Sequence, residues 1–305
     1  MIYDTIIIGG GPAGLTSAIY SSRARLTTLI IEKAGCGGQI AITDFLENYP
    51  GFETGINGFE LTSKMEQQAR GFGTEIVYGE VLSIETQETL KKVVLADKTY
   101  ITKTIIIASG SNFKKLGIKG EAEFIGKGVS YCATCDGPFF KNKDVAVIGG
   151  GDSALQEALF LTKFVNKVFL IHRRDKFRAT QILQERVANE PKIEVVFDGT
   201  VEEIEGNNVI EKVKIKNVKT GNVKEIAVNG VFVFIGWTPN TKFIAQNKIA
   251  LDENGYIITD DKMKTSLEGV FACGDVRKKI LRQVVTATGD GATASISAQN
   301  YIESN

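Results

Sequence analysis

Four cysteines and a single histidine bound the chemistry open to this chain of 305 residues. A Ser-His-Asp triad, a Cys-His nucleophile pair or a multi-histidine metal site would each have to be built around His172 alone, so acid–base work falls to carboxylates or thiols. Of Cys36, Cys132, Cys135 and Cys273, only Cys132 and Cys135 stand as a close pair, at the spacing that permits an intramolecular disulfide. Structural zinc needs four ligands, and neither a second close pair nor a histidine neighbours this one, so no metal site is expected. A dithiol can instead pass electrons on by thiolate attack on an external disulfide. Asp136 adjoins the pair and is the candidate acid that protonates a leaving thiolate. Cys273, in an apolar run, reads as packing, and Cys36, in the loop from Gly35 to Gln39, as a small buried residue.

The elements that would position this pair are written twice. Thr5-Ile6-Ile7-Ile8 suits a strand buried on both faces; Gly9-Gly10-Gly11-Pro12-Ala13-Gly14 follows, then helical spacing of Leu15, Ala18 and Ile19, then a second apolar strand ending at Glu32. In a dinucleotide-binding unit Gly9 makes the tight turn, Gly11 lets the backbone approach a pyrophosphate, Gly14 lets helix and strand pack closely, and Glu32 accepts from a ribose. The second copy has Val145 to Ile148 as strand, Gly149-Gly150-Gly151-Asp152-Ser153-Ala154 as turn and Val168 to Ile171 as the next strand. The copies are in phase, with 23 residues from Gly9 to Glu32 and 23 from Gly149 to His172. Where the first copy has an acid, the second has His172 followed by Arg173, Arg174 and Arg178. Glu32 would repel a 2′-phosphate, whereas guanidinium forks bind one, so the second site is built for NADP.

Thr104 to Gly110 and Val231 to Gly236 read as matching strands of the two units, and Gly269 to Asp275 as a further strand whose Gly274-Asp275 ending offers a carboxylate to a ribityl hydroxyl. Gly289 and Gly291 precede a small-residue helix over 292–302, able to approach a flat ring; the first cofactor is therefore read as FAD. The expected fold is α/β, with two dinucleotide-binding, Rossmann-like domains and the NADPH domain inserted into the FAD domain. Residues 1–112 and 243–305 form the discontinuous FAD domain and 113–242 the NADPH domain carrying Cys132 and Cys135, with crossings near 112–114 and 237–242. The disulfide and the nicotinamide must each meet the flavin, which predicts rotation of the inserted domain about those crossings. Lys and Arg number 36, as do Asp and Glu, so the zero net charge gives no footprint for nucleic acid or an anionic membrane. With no leader-like opening and no apolar run of about 18 residues, a soluble cytoplasmic protein is expected.

Together, Gly9 to Gly14, Cys132-Ala133-Thr134-Cys135-Asp136-Gly137, Gly149 to Gly151, His172 to Ala179, and Gly274-Asp275-Val276 followed by Arg282-Gln283-Val284 resemble the bacterial-type, low-molecular-weight thioredoxin reductases of the pyridine nucleotide-disulfide oxidoreductase family, over essentially the whole chain. The resemblance implies a homodimeric FAD enzyme that takes electrons from NADPH and reduces thioredoxin. It places Cys135 against the flavin, gives Cys132 the attack on the thioredoxin disulfide and makes Asp136 the acid. By the same carry-over Pro12, Ala13, Lys33, Gly38, Gln39, Asn48, Gly274, Asp275, Arg282, Gln283 and Val284 join the first turn in holding FAD. Gly149, Gly151, Asp152, Ser153, Ala154, His172, Ile235 and Gly236 join Arg173, Arg174 and Arg178 in holding NADPH. The sequence departs from the pattern at Ser109, where threonine is usual, at Asp152, where asparagine is frequent, and at Cys36. A same-fold reductase with ferredoxin as donor, or with a glutaredoxin-like or peroxide-reducing protein as acceptor, is the alternative enzyme; the second turn and its arginines argue against ferredoxin. A nucleotide-binding redox sensor would need an output domain for which two nucleotide units leave no room.

Overall fold

The computed structural model describes residues 1–43, 46–87 and 89–304. It divides into two compact units, Met1–Asn112 with Thr238–Asn305, and Phe113–Trp237. The return crossing falls between Trp237 and Thr238. Residues just beyond it are bonded to the first unit: Asn240 donates from its backbone N–H to Gly110 and from Nδ2 to the Ser109 carbonyl, and the Ser109 hydroxyl donates to the Asn240 carbonyl. The two linking strands, Ser111–Phe113 and Trp237–Pro239, pair with each other.

In the first unit the strand Ile2–Ile8 lies between parallel neighbours Thr28–Glu32 and Thr99–Ile107, with Glu75–Tyr78 outside Thr28–Glu32. Leu90–Val94 and Ser83–Gln87 continue the sheet antiparallel, and Val270–Ala272 returns from the C-terminal segment to pair with Ile105 to Ile107. Ile7, Ile30 and Ile106 face one core cluster while Ile6, Leu29, Ile105 and Ile107 face the other. Successive strand side chains point to opposite faces, so a strand covered on both faces must be apolar throughout, which is why these runs read as unbroken isoleucine and leucine.

The first of these clusters lies under the helices Pro12–Arg23 and Val284–Ser304. The latter is longer than the expected 292–302 helix and includes Gly289 and Gly291. A Cβ at Gly291 would lie 2.2 Å from the Ala13 carbonyl oxygen. Backbone contact between the helices therefore requires glycine there and outweighs its cost in a helix, about 1 kcal/mol.

The second unit repeats the plan. One sheet of five parallel strands runs in the order Ile193–Val196, Lys167–Ile171, Asp144–Gly149, Gly230–Phe234, Val129–Ser130. The helices Asp152–Leu161 and Gln181–Ala188 cover one face through Leu155, Ala158, Leu161, Leu183 and Val187. An antiparallel sheet of Gly199–Gly206, Ile210–Asn217 and Val223–Ala227 covers the other through Val201, Ile204, Val213 and Ile215. Among the described residues no helix is long and apolar enough to cross a membrane.

Candidate functional site

Cys132 and Cys135 form a disulfide, with Cα atoms 5.4 Å apart, at the start of the short helix Ala133–Asp136. The Cys135 N–H donates to Cys132 Sγ at 3.1 Å, a contact that favours a thiolate on Cys132 once the bond is reduced. The Ser130 hydroxyl accepts from the Cys132 N–H and donates to the Cys132 carbonyl, fixing the backbone that enters the turn. Two residues missed by sequence reasoning anchor this segment. The buried Glu121 carboxylate accepts from the Leu116 and Gly117 N–H groups at 2.7 Å each and from the Tyr131 hydroxyl at 2.8 Å. Burial and the bond to Glu121 keep the Tyr131 hydroxyl protonated, and its ring stacks on Phe113, which stacks on Trp237 with centroids 4.5 Å apart. Asp136 is half-buried beside the pair and lines a pocket of about 320 Å³ with Lys127 and Lys143. Phe139, 76% exposed, stands at the same pocket.

In the first unit three segments converge on the start of the helix Pro12–Arg23. Gly9 adopts φ 107°, and a Cβ at Gly14 would lie 1.9 Å from the Gly9 carbonyl oxygen, so strand and helix meet there only through glycine. Gly11 faces open space, as a backbone that admits a pyrophosphate must. The Gly37 N–H bonds to the Gly10 carbonyl and brings Gly38 against Gly11, while Gly274 lies against Ala13. Glu32 takes the Gly10 N–H on Oε2 at 2.6 Å and the Ala34 N–H on Oε1 at 3.1 Å. Asn48 donates to Gln283 Oε1 at 3.1 Å, and Val284, buried, opens the long C-terminal helix. Lys33 instead makes an exposed ion pair with Glu80.

This cradle holds polar atoms without partners. Gln39 Oε1, Asp275 Oδ1 and Arg282 Nε are buried and unbonded, and the Arg282 guanidinium lies 4.0 Å over the Tyr256 ring. Burial pushes the Asp275 carboxyl up, with Lys279 and Arg282 acting in the opposite sense. Buried acceptors and donors left open in this way fit a polar ligand such as the ribityl and isoalloxazine groups of a flavin. Asp290, also missed from sequence, orders the loop: it accepts from the Gly274 N–H at 3.1 Å, Arg277 at 3.2 Å and Lys279 at 2.7 Å. Cys36 is half-buried, and burial first, then Glu66 and Glu32, push its thiol up to about 12; Cys273 is fully buried. Both free thiols stay protonated and unreactive at neutral pH.

In the second unit Gly149 approaches Phe234, and Gly151, like Gly11, faces open space before the helix that holds Ser153 and Ala154. His172 is buried, its ring packed so closely on Gly150 that a Cβ there would lie 2.2 Å from Nδ1. Burial, aided by the neighbouring arginines, holds its pKa down, so the imidazole is neutral. Asp152 accepts from the Thr180 N–H at 2.7 Å, and the Arg178 N–H bonds to Gly150, which ties the arginine segment to the glycine turn. Arg173, Arg174 and Arg178 are exposed and line a pocket of about 300 Å³ together with Lys219. Ile235 and Gly236 follow the strand Gly230–Phe234, half-buried, with the Gly236 carbonyl accepting from the Lys114 N–H.

The family model described as pyridine nucleotide-disulphide oxidoreductase matches residues 3–291. The chain is 48% identical over 301 residues to the thioredoxin reductase of Treponema pallidum, covering 99% of this chain and 97% of that one. It is 49% identical over 303 residues to that of Bacillus subtilis, covering 99% and 95%. The crystal structure of Lactococcus lactis thioredoxin reductase, 48% identical, superposes with a TM-score of 0.97 over 99% of this chain and 100% of that one.

Proposed function

The chain belongs to the pyridine nucleotide-disulphide oxidoreductase family, and on that premise we propose that it takes electrons from NADPH through FAD and the Cys132–Cys135 disulfide to the disulfide of thioredoxin. The observation that carries this reading is the Cys132–Cys135 disulfide, formed in the same unit as the second glycine turn and its arginines. Bound FAD would supply the two-electron carrier between nicotinamide and disulfide. Gly9 to Gly14, Gly38, Gln39, Asn48, Asp275 and Arg282 to Val284 would hold it, which accounts for the open polar atoms of Gln39, Asp275 and Arg282. Gly149 to Ala154 would hold the pyrophosphate of NADPH, and Arg173, Arg174 and Arg178 its 2′-phosphate.

The chain's own thiols do the exchange. In the reduced protein the Cys132 thiolate, favoured by the Cys135 N–H, attacks one sulfur of the thioredoxin disulfide; a mixed disulfide forms and a thioredoxin thiolate leaves. Asp136 gives that thiolate its proton. The Cys135 thiolate then attacks Cys132 Sγ, which restores the internal disulfide and releases the second thioredoxin thiolate. The exposed Phe139 and the pocket beside Asp136 give thioredoxin an apolar contact next to the pair. The protein acts in the cytoplasm, in keeping with two free thiols, and as a homodimer, in keeping with the family resemblance.

Steady-state oxidation of NADPH with purified thioredoxin tests the reading. NADPH is expected to be preferred to NADH, and Arg173→Ala with Arg174→Ala to remove the preference, each lost charge-assisted contact weakening binding roughly 10- to 150-fold. No turnover with thioredoxin, or an unchanged cofactor ratio in the double variant, contradicts it.

A further inference from the structure

The pocket of the arginine segment contains a cation that the dinucleotide motif does not supply. Residues 217–222 close the hairpin between Ile210–Asn217 and Val223–Ala227, in the antiparallel sheet. Asn217 Oδ1 accepts from the Lys219 and Thr220 N–H groups at 2.9 Å each, so the turn is ordered by its own side chain. The Val218 N–H donates to the Asp198 carbonyl at 2.7 Å, and the Asp198 N–H to the Arg174 carbonyl at 3.2 Å, which fastens the hairpin to the arginine segment. Lys219 Nζ then stands 3.2 Å from Asp175 Oδ2 and 3.0 Å from Asp198 Oδ2. Both carboxylates line the pocket that also presents Arg173, Arg174 and Arg178.

An anion seat containing two carboxylates works against itself. A unit charge about 6 Å from another, at an effective dielectric between that of a protein surface and water, changes binding roughly three- to tenfold. Lys219 halves that opposition, since its one positive charge is bonded to both carboxylates and leaves a net charge of −1 where there would be −2. Resting on the NADPH reading, we propose that Lys219 is a specificity residue for the 2′-phosphate, bonded to Asp175 and Asp198 so that their opposition to the phosphate taken up by the arginines is halved. The cation comes from a different sheet and 41 residues beyond Arg178, where no pattern around the glycine turn would show it.

Calorimetric titration of the FAD-loaded protein with 2′,5′-ADP, which carries the 2′-phosphate, and with 5′-ADP, which lacks it, tests the proposal. Lys219→Met is expected to weaken 2′,5′-ADP roughly three- to tenfold and to leave 5′-ADP within twofold, while Lys219→Arg keeps the discrimination. Adding Asp175→Asn and Asp198→Asn to Lys219→Met should restore binding of 2′,5′-ADP, because the opposing charges are gone; asparagine also tolerates the left-handed φ of 56° at Asp198. Loss of both ligands together, or failure of the asparagine pair to restore binding, overturns the proposal, since a merely structural lysine would behave in those ways. Failure of the NADPH reading would show separately, as a wild-type protein that does not distinguish the two ligands.

Discussion

At the scale of single residues, the two thiols are set apart by what surrounds them. Cys132 follows a tyrosine held by a buried carboxylate and receives a backbone N–H on its sulfur; Cys135 is the more exposed of the pair. Cys132→Ser and Cys135→Ser are each expected to lower thioredoxin reduction on the order of a thousandfold or more, because the exchange needs both sulfurs. They should differ in one respect: offered a thioredoxin that lacks its second cysteine and carries an aromatic thiol in disulfide linkage on the first, Cys135→Ser displaces the aromatic thiolate and traps a mixed disulfide on a non-reducing gel, and Cys132→Ser does not. A trapped adduct on the Cys132→Ser protein instead would exchange the two roles. Lys91 is a second residue whose surroundings decide its effect. It is 1% exposed, its Nζ has no hydrogen-bond partner, and its ammonium group lies 5.1 Å from the Tyr301 ring centroid. Burial pulls its pKa below the ordinary 10.5, with Glu268 acting in the opposite sense. A lysine with a lowered folded pKa costs stability below that pKa, and the cost vanishes as pH rises to the unfolded value. Lys91→Met should therefore raise stability by about 1–2 kcal/mol at neutral pH, with the gain shrinking toward pH 10.5. A chemical denaturation series from pH 7 to 10.5 measures it, and a variant less stable than wild type would show that the ammonium group is well solvated where it lies.

At the scale of elements, the antiparallel sheet that delivers Lys219 carries an ion-pair ladder on its outer face. Lys212 meets Glu205 at 3.1 Å and Glu225 at 2.7 Å, Lys216 meets Glu202 at 3.1 Å, and Lys214 bonds to Glu203, which Lys119 also reaches. Val201, Ile204, Val213 and Ile215 fill the opposite face, which fixes the register. Bonds from Lys119 and Lys214 hold the Glu203 carboxyl at about 2, and bonds from Lys214 and Lys212 hold Glu205 below its usual range. Folded values below unfolded ones mean a contribution present above pH 4.5 and lost as pH falls from there to about 2. Glu203→Gln is expected to flatten the fall in urea midpoint across that window, most clearly at low salt; equal slopes for both proteins would assign the acid sensitivity elsewhere. These elements also show what was legible in the sequence. The glycine turns, the arginine segment and the cysteine pair are each contained in a few consecutive residues, so their chemistry is visible without the fold. Gly289 and Gly291 read as a break before a helix because glycine is a poor helix former; the approach of Ala13 explains the glycine at 291, while a Cβ at Gly289 would meet nothing within 4 Å. Glu121, Asp290 and Lys219 act through loops and turns that fold back on the site, and nothing local marks them.

At the scale of the whole molecule, the duplicated plan gives each unit its own buried core. The clusters of the first unit draw on residues 1–112 and 238–305, those of the second on 113–237. Each nucleotide motif lies wholly within one of them: Gly9 to Gly14, Gln39, Asp275 and Arg282 in the first, Gly149 to Ala154 and the arginine segment in the second. A ligand that binds only the folded state stabilises the unit that binds it, by about 2.7 kcal/mol at a hundred times its Kd. For units of these sizes that is a rise in melting temperature of roughly 5–15 °C. Scanning calorimetry of the FAD-loaded protein is therefore expected to resolve two transitions. Addition of 2′,5′-ADP should raise only the transition of the 113–237 unit, and removal of FAD should lower only the other. A limited digest taken between the two transitions assigns them, since the unit still folded survives. A single transition that moves as one body with either ligand would show that the units melt together, and that each cofactor's binding energy is shared across the whole chain.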